Sequence, residues 1–252
     1  MGQFRRNLLF SLISGKKDSN YLTIEALEDG LTVSFDNSGL SYSIDGGDWV
    51  ELESYEESAP INKNQIISFK GEFEDCEYGV GQFTISKRCN LKGNCMSIIY
   101  GDNAYGQTSM KNNSFSDLFR FCTTIEMVSE NFLPATELTY GCYYMMFQGC
   151  TSLINAPKLP ATTMESNCYG YMFHECTNLV NAPELPATTL ANYCYDSMFY
   201  GCKSMVSAPD LPAKSLVSHC YEMMFKECSN LSYIKALFTT TPSSSYTDYW
   251  VH

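Results

Sequence analysis

Cysteine is the residue type in this chain with the most obvious capacity for chemistry. The chain has 12 cysteines in 252 residues, and eight of them fall in two registers. The first register holds Cys142, Cys168, Cys194 and Cys220, and the second holds Cys150, Cys176, Cys202 and Cys228. Thiols in such numbers could form disulfides, bind zinc or serve as nucleophiles.

The arrangement of these cysteines favours buried free thiols. Equivalent residues of stacked repeats lie about 4.8 Å apart and point the same way. A disulfide needs Cβ atoms about 3.8 Å apart that incline toward each other. Cys122 adds a fifth member to the second register, and five cysteines cannot all be paired in disulfides within one register. No histidine lies near the Cys142–Cys150 pair, so zinc is disfavoured. We expect a reduced ladder, and disulfides in part of it or among Cys76, Cys89 and Cys95 remain the alternative.

No other set of residues has the pattern of a catalytic site. The chain has no P-loop, no G-x-G-x-x-G and no Ser/His/Asp or Cys/His set at plausible spacing. The run Ser43–Trp49 is one residue short of an Asp-box, and we interpret it as a plain β-turn. Asp36, Asp45 and Asp48 could offer oxygen ligands to Ca²⁺, but their spacing is not that of an EF-hand. We predict a protein that is not an enzyme and uses no cofactor or metal.

The cysteines belong to a repeat with a period of 26 residues, which begins at Leu133, Leu159, Leu185 and Leu211. A fixed period of this length predicts a solenoid, in which each copy stacks on the next. Leu138, Cys142 and Met146 are spaced i, i+4, i+8, which predicts a helix of about ten residues. A short strand should follow over 153–156 and stop at Pro157. We expect parallel strands on one face of the solenoid and helices on the other.

Two further columns of the repeat carry structural expectations. Gly149 and Gly201 stand where a helix often ends in a left-handed cap. Glu175 and Glu227 hold the same position in the other copies, so we do not expect every copy to be left-handed there. The tyrosines that follow the first cysteine register should pack the helix layer with their hydroxyls reaching water. They are Tyr143, Tyr169, Tyr195 and Tyr221.

The sequence divides into five regions. Residues 1–20 form an N-terminal arm, and 21–100 hold six β-rich runs separated by turn signals, which predict an antiparallel β-sandwich. Residues 101–132 are a connector with a degenerate capping repeat, because 116–125 echoes the repeat with an offset of 28 residues. Residues 133–238 hold the four repeats, and 239–252 form a C-terminal tail. The expected fold class is α+β, a sandwich followed by a solenoid.

Composition and charge restrict the partners. The formal net charge is −12, and no basic stripe exists, which disfavours nucleic acid and anionic membranes. No apolar run approaches the ~18–20 residues that span a bilayer. The N-terminus mimics a signal peptide, with Arg5 and Arg6 before a short apolar stretch, but its cleavage site is poor. Export and release within a virion are both open.

The repeat motif L-P-A-T-x-L-x-x-x-C-Y-x-x-M-F-x-G-C-x-x-L-x-x-A-P, present in four nearly full copies over 133–238, resembles the BspA-like leucine-rich repeats of gut anaerobes and their phages. The runs Tyr21–Gly30 and Tyr42–Trp49 resemble the β domain that often precedes such repeats. In contrast to that family, the sequence stops at His252 after a Trp-Val pair. The resemblance implies surface display and adhesion to proteins or cells, without catalysis.

Candidate binding residues are those that vary while the framework of the repeat stays fixed. They follow the second cysteine register, on the strand face that a solenoid presents as one rigid surface. They are Ile154, Asn155, Lys158, Val180, Asn181, Glu184, Val206, Ser207, Asp210 and Tyr233. We expect this face to bind a protein or glycan at a cell surface. The alternative is a virion component whose N-terminal arm docks onto a capsid or tail, and a solvated face without a ligand is the structural alternative.

Overall fold

The computed structural model of the chain describes residues 20–73, 78–239 and 244–250. Most of the N-terminal arm and Cys76 therefore lie outside the described residues, and so do the predictions that rest on them. The described residues contain eight strands and two α-helices of four residues each. The strands are β1 (Leu22–Ala26), β2 (Val33–Phe35), β3 (Leu40–Ile44), β4 (Val50–Leu52), β5 (Ile66–Gly71), β6 (Phe83–Ile85), β7 (Cys89–Lys92) and β8 (Ile125–Val128). The helices are Ser97–Tyr100 and Ser244–Thr247.

The strands form a six-stranded mixed sheet in the order β4-β3-β5-β1-β7-β8 and a two-stranded sheet of β2 and β6. The predicted β-rich runs are confirmed as β1 to β6, whereas β7 and β8 had no clear signal. Neighbouring strands pair antiparallel except β7 and β8, which run parallel from the Cys89–Ile125 pair onward. The sheet is therefore mixed and not purely antiparallel as predicted. We call residues 21–103 the sheet unit.

The two sheets meet through aromatic side chains because each strand turns one apolar face inward. Phe83 of β6 lies 5.1 Å from Phe69 of β5 and 4.7 Å from Phe35 of β2, measured between ring centroids. Phe83 also stacks on Phe119, at 5.4 Å, which follows the sheet unit in the chain. This contact joins the core of the sheet unit to the core of the repeats.

Successive copies of the repeat lie side by side, and equivalent rings stack. The phenylalanine column, Phe119, Phe147, Phe173, Phe199 and Phe225, has centroid separations from 5.6 to 5.9 Å with nearly parallel rings. The column of Tyr143, Tyr169, Tyr195 and Tyr221 stacks in the same way. These tyrosines are buried, and the hydroxyl oxygens of Tyr143 and Tyr169 are closed off from solvent, so the expectation that the column reaches water is wrong there.

The predicted helices of the repeat are absent from the described residues. The segments 139–150, 165–176, 191–202 and 217–228 are series of overlapping turns instead, and we call them the turn ribbon. In the first segment every second N–H, from Cys142 to Cys150, donates to the carbonyl three residues before it. The N–H groups between them donate to the next copy, such as Tyr143 to the Cys168 carbonyl at 3.0 Å. Half of the backbone donors are thus satisfied locally and half by the neighbouring copy.

A left-handed residue at every fourth position gives the turn ribbon its shape. The first segment has positive φ at Gly141, Met145 and Gly149, and the other three segments repeat this pattern. An α-helix needs consecutive right-handed residues, so this periodicity rules it out. Glu175 and Glu227 have φ of 58° and 60°, so the position is left-handed in all four copies, contrary to our expectation. The i, i+4, i+8 spacing of Leu138, Cys142 and Met146 reflects the four-residue repeat of the ribbon.

The eleven described cysteines are free and buried. In the second register each thiol donates to a phenylalanine carbonyl of the preceding copy: Cys176 Sγ lies 3.1 Å from the Phe147 oxygen, and Cys202 Sγ lies 3.2 Å from that of Phe173. Cys122 makes the corresponding bond to the Phe83 carbonyl at 3.0 Å. The cysteines therefore fix neighbouring segments to each other through hydrogen bonds.

The C-terminal residues 244–250 continue the stack beyond the fourth repeat. The N–H groups of Tyr221 and Phe225 donate to the carbonyls of Tyr246 and Trp250, each at 3.1 Å. The Trp250 ring lies 6.1 Å from that of Phe225. This segment thus pairs with the turn ribbon as a following copy would.

Candidate functional site

The strand face is built from the residues that follow the second cysteine register, over 153–158, 179–184, 205–210 and 231–235. Leu153, Leu179 and Met205 anchor three of these segments because their side chains are fully buried. The next residues are extended and pair in parallel through single bridges, such as that of Asn155 with Asn181 and that of Ser207 with Tyr233. The predicted strands are thus reduced to isolated bridges, and in the first three segments a proline two residues after the bridging residue removes a donor.

Three of the predicted site residues hold the same position in successive copies and form an exposed apolar strip. Ile154, Val180 and Val206 are 41, 43 and 55% exposed. Tyr233 is 60% exposed, but it bridges Ser207 and therefore lies one position further along its segment. The N–H of Val180 donates to the Ile154 carbonyl at 3.1 Å, which holds these two side chains in adjacent positions. Exposed apolar side chains that adjoin each other, unlike scattered ones, are typical of a binding surface.

Polar predicted residues flank the apolar strip. Asn181 Nδ2 donates to Asn155 Oδ1 at 2.8 Å, so the structure brings these two side chains together. Lys158 pairs with Glu130 at 2.6 Å, and Lys235 pairs with Asp210. The pKa of Lys158 is raised, first by its hydrogen bond to Glu130. Glu184 forms no ion pair within the part of the chain that the structure describes.

A groove of about 390 Å³ opens at the end of the strand face. Pro183, Pro186, Pro209 and Pro212 line it together with Glu184 and Asp210. The predicted acidic residues therefore border a concave apolar surface.

Sequence reasoning missed a second variable surface, on the outside of the turn ribbon. His174 stacks between Tyr171 and Tyr200, with ring centroids 5.3 and 4.6 Å away. Lys226 lies over the rings of Tyr200 and Tyr249, 5.6 and 5.1 Å from their centroids. These positions vary between copies just as the strand face does, and that signal could have revealed them. Met127, exposed beside Asn155, was missed as well.

Titratable side chains cluster on the same ribbon surface. His219 Nδ1 lies 2.6 Å from Glu222 Oε2, and the His219 ring stacks on Tyr193 at 4.5 Å. Burial raises the pKa of Asp196 to about 6, and the nearby Glu222 carboxylate adds to the shift. Burial lowers the pKa of His174. These groups lie in neighbouring copies, and Ser197 Oγ donates to Asp196 Oδ1 at 2.8 Å.

The cysteines offer little reactivity in this environment. Burial raises the pKa of the Cys142 thiol to about 12, so it is protonated at neutral pH and is a poor nucleophile. The other described cysteines are shifted in the same direction. The described residues contain no group of three or more His, Cys, Asp or Glu side chains that could hold a metal ion.

Two of the three aspartates considered for Ca²⁺, Asp36 and Asp45, have structural partners. Asp36 Oδ1 accepts the Gln82 N–H at 2.6 Å, and Asp45 Oδ1 accepts the Ile66 N–H at 3.0 Å. Ser43 Oγ donates to the Gly47 carbonyl at 2.7 Å, which closes the turn between β3 and β4. Their side chains therefore stabilise turns and strand ends.

Comparison of the chain with protein-family models, with curated proteins and with solved structures finds no match. No helix in the described ranges is long and apolar enough to cross a membrane.

Proposed function

We propose that this protein is a non-enzymatic binding protein with a BspA-like solenoid of stacked repeats, preceded by a β-sandwich. Its strand face binds a protein or glycan at a cell surface. The observation that carries the proposal is the exposed apolar strip of Ile154, Val180 and Val206. Backbone hydrogen bonds between copies and the stacking of buried rings fix the copies that carry this strip. The strip is therefore a preorganised surface.

The chemistry of the strip favours a protein partner over a glycan. Its three side chains are branched aliphatic groups, and burying their apolar surface away from water stabilises a complex. Lys158 and Asp210, both exposed, lie at its edge, and such a polar rim around an apolar centre is the usual composition of a protein interface.

Binding to cultured cells tests the proposal. Labelled full-length chain would be added to a panel of cells, untreated or pretreated with protease or glycosidases, and bound label measured by flow cytometry. The test variant is Ile154→Glu/Val180→Glu/Val206→Glu. The control is Thr162→Glu/Thr188→Glu/Ser215→Glu, which adds the same charge at exposed positions away from the strip.

We expect saturable binding that protease pretreatment removes, that the strip variant loses by at least about tenfold, and that the control retains. Sensitivity to glycosidases alone would identify a glycan as the ligand. Absence of binding to every cell type, or equal binding by the strip variant, would refute the proposed role of this face.

A further inference from the structure

The stack of repeats ends in a groove of about 450 Å³ beside the fourth copy. Phe225, Cys228, Leu231, Ser232 and Tyr233 are among the residues that line it. The equivalent residues of the inner copies are covered by the next copy. Leu153, Leu179 and Met205 are fully buried, for example, whereas Leu231 is only half-buried.

Three kinds of contact between inner copies indicate which residues a segment bound in this groove would need. First, a cysteine thiol donates to the phenylalanine carbonyl of the preceding copy, as Cys202 does to Phe173. Second, the apolar residue three positions after that cysteine is buried between copies. Third, the N–H of the following residue donates to a carbonyl of the preceding copy, as Ser232 does to Val206 at 3.0 Å.

In the fourth copy the matching groups face the groove. The Phe225 carbonyl accepts the Cys228 N–H at 3.2 Å, and no thiol donates to it among the described residues. The Ser232 carbonyl has no partner in the described ranges either. Residues 244–250 already pair with the turn ribbon of this copy, so the interface between copies continues up to the edge of the groove.

We propose that this groove binds a polypeptide segment with the repeat's own Gly-Cys-x-x-Leu or Gly-Cys-x-x-Met sequence, in parallel with Cys228–Ile234. The thiol of the bound segment donates to the Phe225 carbonyl, and its Leu or Met covers Leu231. The next N–H of the segment donates to the Ser232 carbonyl, so the segment adds to the sheet edge as one more strand. None of Ile154, Val180 and Val206 lines this groove, so peptide binding here does not depend on the proposed function.

A synthetic peptide that copies residues 200–210, Tyr-Gly-Cys-Lys-Ser-Met-Val-Ser-Ala-Pro-Asp, is the probe. It would carry a fluorescein label and be titrated with the full chain under reducing conditions, with fluorescence anisotropy as the measurement. A second peptide carries Asp in place of the methionine. We expect saturable binding of the first peptide and binding weaker by about tenfold or more for the second, because a methionine buried in the complex is replaced by a charge.

Two protein variants locate the site. Leu231→Glu should reduce peptide binding by about tenfold or more, while the exposed Thr188→Glu should leave it unchanged. Circular dichroism and the melting temperature would show whether Leu231→Glu remains folded. Because that variant risks unfolding, a chain extended after His252 by a copy of residues 201–213 serves as a second test, since this extension keeps the 26-residue spacing from Cys228 to the added cysteine. This extension should raise the melting temperature and remove peptide binding.

Saturation by the first peptide, with loss in the Asp peptide and in the extended chain, would support the proposal. Equal binding of the two peptides, no saturable binding, or undiminished binding by the extended chain would overturn it. Self-association of the unmodified chain that the peptide fails to inhibit would likewise count against this groove as a strand-addition site.

Discussion

The sheet unit and the turn ribbon bury their side chains by different means. In the sheet unit, strands distant in sequence pair in registers that each occur once, and individual side chains such as Asp36 and Asp45 hold the turns. In the turn ribbon one backbone pattern recurs in four copies, and identical rings stack in columns. The effect of a substitution in the sheet unit therefore depends on contacts that occur only at that position. A substitution in the ribbon can be compared with the same substitution at the equivalent position of another copy.

The two tryptophans allow the regions to be observed separately. Trp49 lies in the sheet unit, 4.9 Å from the Tyr21 ring, and Trp250 lies against Phe225 at the end of the ribbon. The chain has only these two. Variants that keep one tryptophan would report urea unfolding of each region by fluorescence.

The largest expected effect is that of removing one ring from the phenylalanine column. Phe173→Ala should lower the free energy of unfolding by about 3–5 kcal/mol, because Phe173 is fully buried between two stacked rings. Phe147→Ala should cost nearly the same, since its surroundings repeat those of Phe173. Urea titration followed at Trp250 is the measurement. Costs that differ between the two positions by more than about 1.5 kcal/mol would show that the copies are not equivalent.

The next prediction concerns Gly→Ala substitutions, whose effect on the free energy of unfolding has opposite signs in a helix and in the turn ribbon. In an exposed helix, Gly→Ala stabilises by about 0.5–1 kcal/mol. Gly201 has φ of 70°, so Gly201→Ala should instead destabilise by about 1–2 kcal/mol. The nearest atom to its new Cβ would be Glu175 Cγ at 3.5 Å, an ordinary contact.

Gly149→Ala should cost more than Gly201→Ala, because its new Cβ would clash with Phe121 Cδ1. The reciprocal change Glu175→Gly should be stabilising, since Glu175 is exposed and left-handed. These three variants would be compared by urea unfolding. A stabilising Gly201→Ala would contradict the left-handed ribbon.

The pH dependence of stability should differ in sign between the two regions. Burial raises the pKa of Asp196 in the ribbon to about 6, above its unfolded value. Between about pH 4 and 6 the folded state therefore binds more protons than the unfolded state, and stability falls as pH rises. Asp196→Asn should reduce the dependence of the unfolding free energy on pH in this range. It should also stabilise the protein at pH 7 by about 1 kcal/mol, since Asp196 is partly exposed and solvent screens its charge.

Asp102 of the sheet unit provides the opposite case and the control. Hydrogen bonds from Lys70 and Tyr21 lower its pKa, so its contribution is present at neutral pH and is lost as pH falls through the folded value. Asp102→Asn should therefore reduce stability slightly at pH 7 and leave the slope between pH 4 and 6 in place. Urea titrations from pH 3 to 8 would compare the variants, and an unchanged slope in Asp196→Asn would assign the effect to another group.

The smallest expected effect belongs to the apolar strip. Val180→Ser should change the free energy of unfolding by less than about 0.5 kcal/mol, because the side chain is 43% exposed and the backbone bond to Ile154 is retained. Thermal unfolding followed by circular dichroism is sufficient for this comparison. A cost above 1 kcal/mol would mean that Val180 belongs to the core and would weaken the strip as a binding surface.

By itself, the sequence determined the 26-residue period, the columns of buried Cys, Phe, Tyr and Met side chains, and strands β1 to β6. These features depend on which residues are apolar and on turn chemistry, and both are local. Only the tertiary structure decided that the spacing of Leu138, Cys142 and Met146 forms a turn ribbon. A helix and a four-residue ribbon bury the same i, i+4 positions, and they differ in where alternate N–H groups find acceptors. Those acceptors lie 25 residues away, as Cys168 does for Tyr143. The carbonyl partners of the thiols and the parallel pairing of β7 with β8 could not be predicted either. Each joins residues that are far apart in the sequence, and no local sequence pattern indicates that they are close in space.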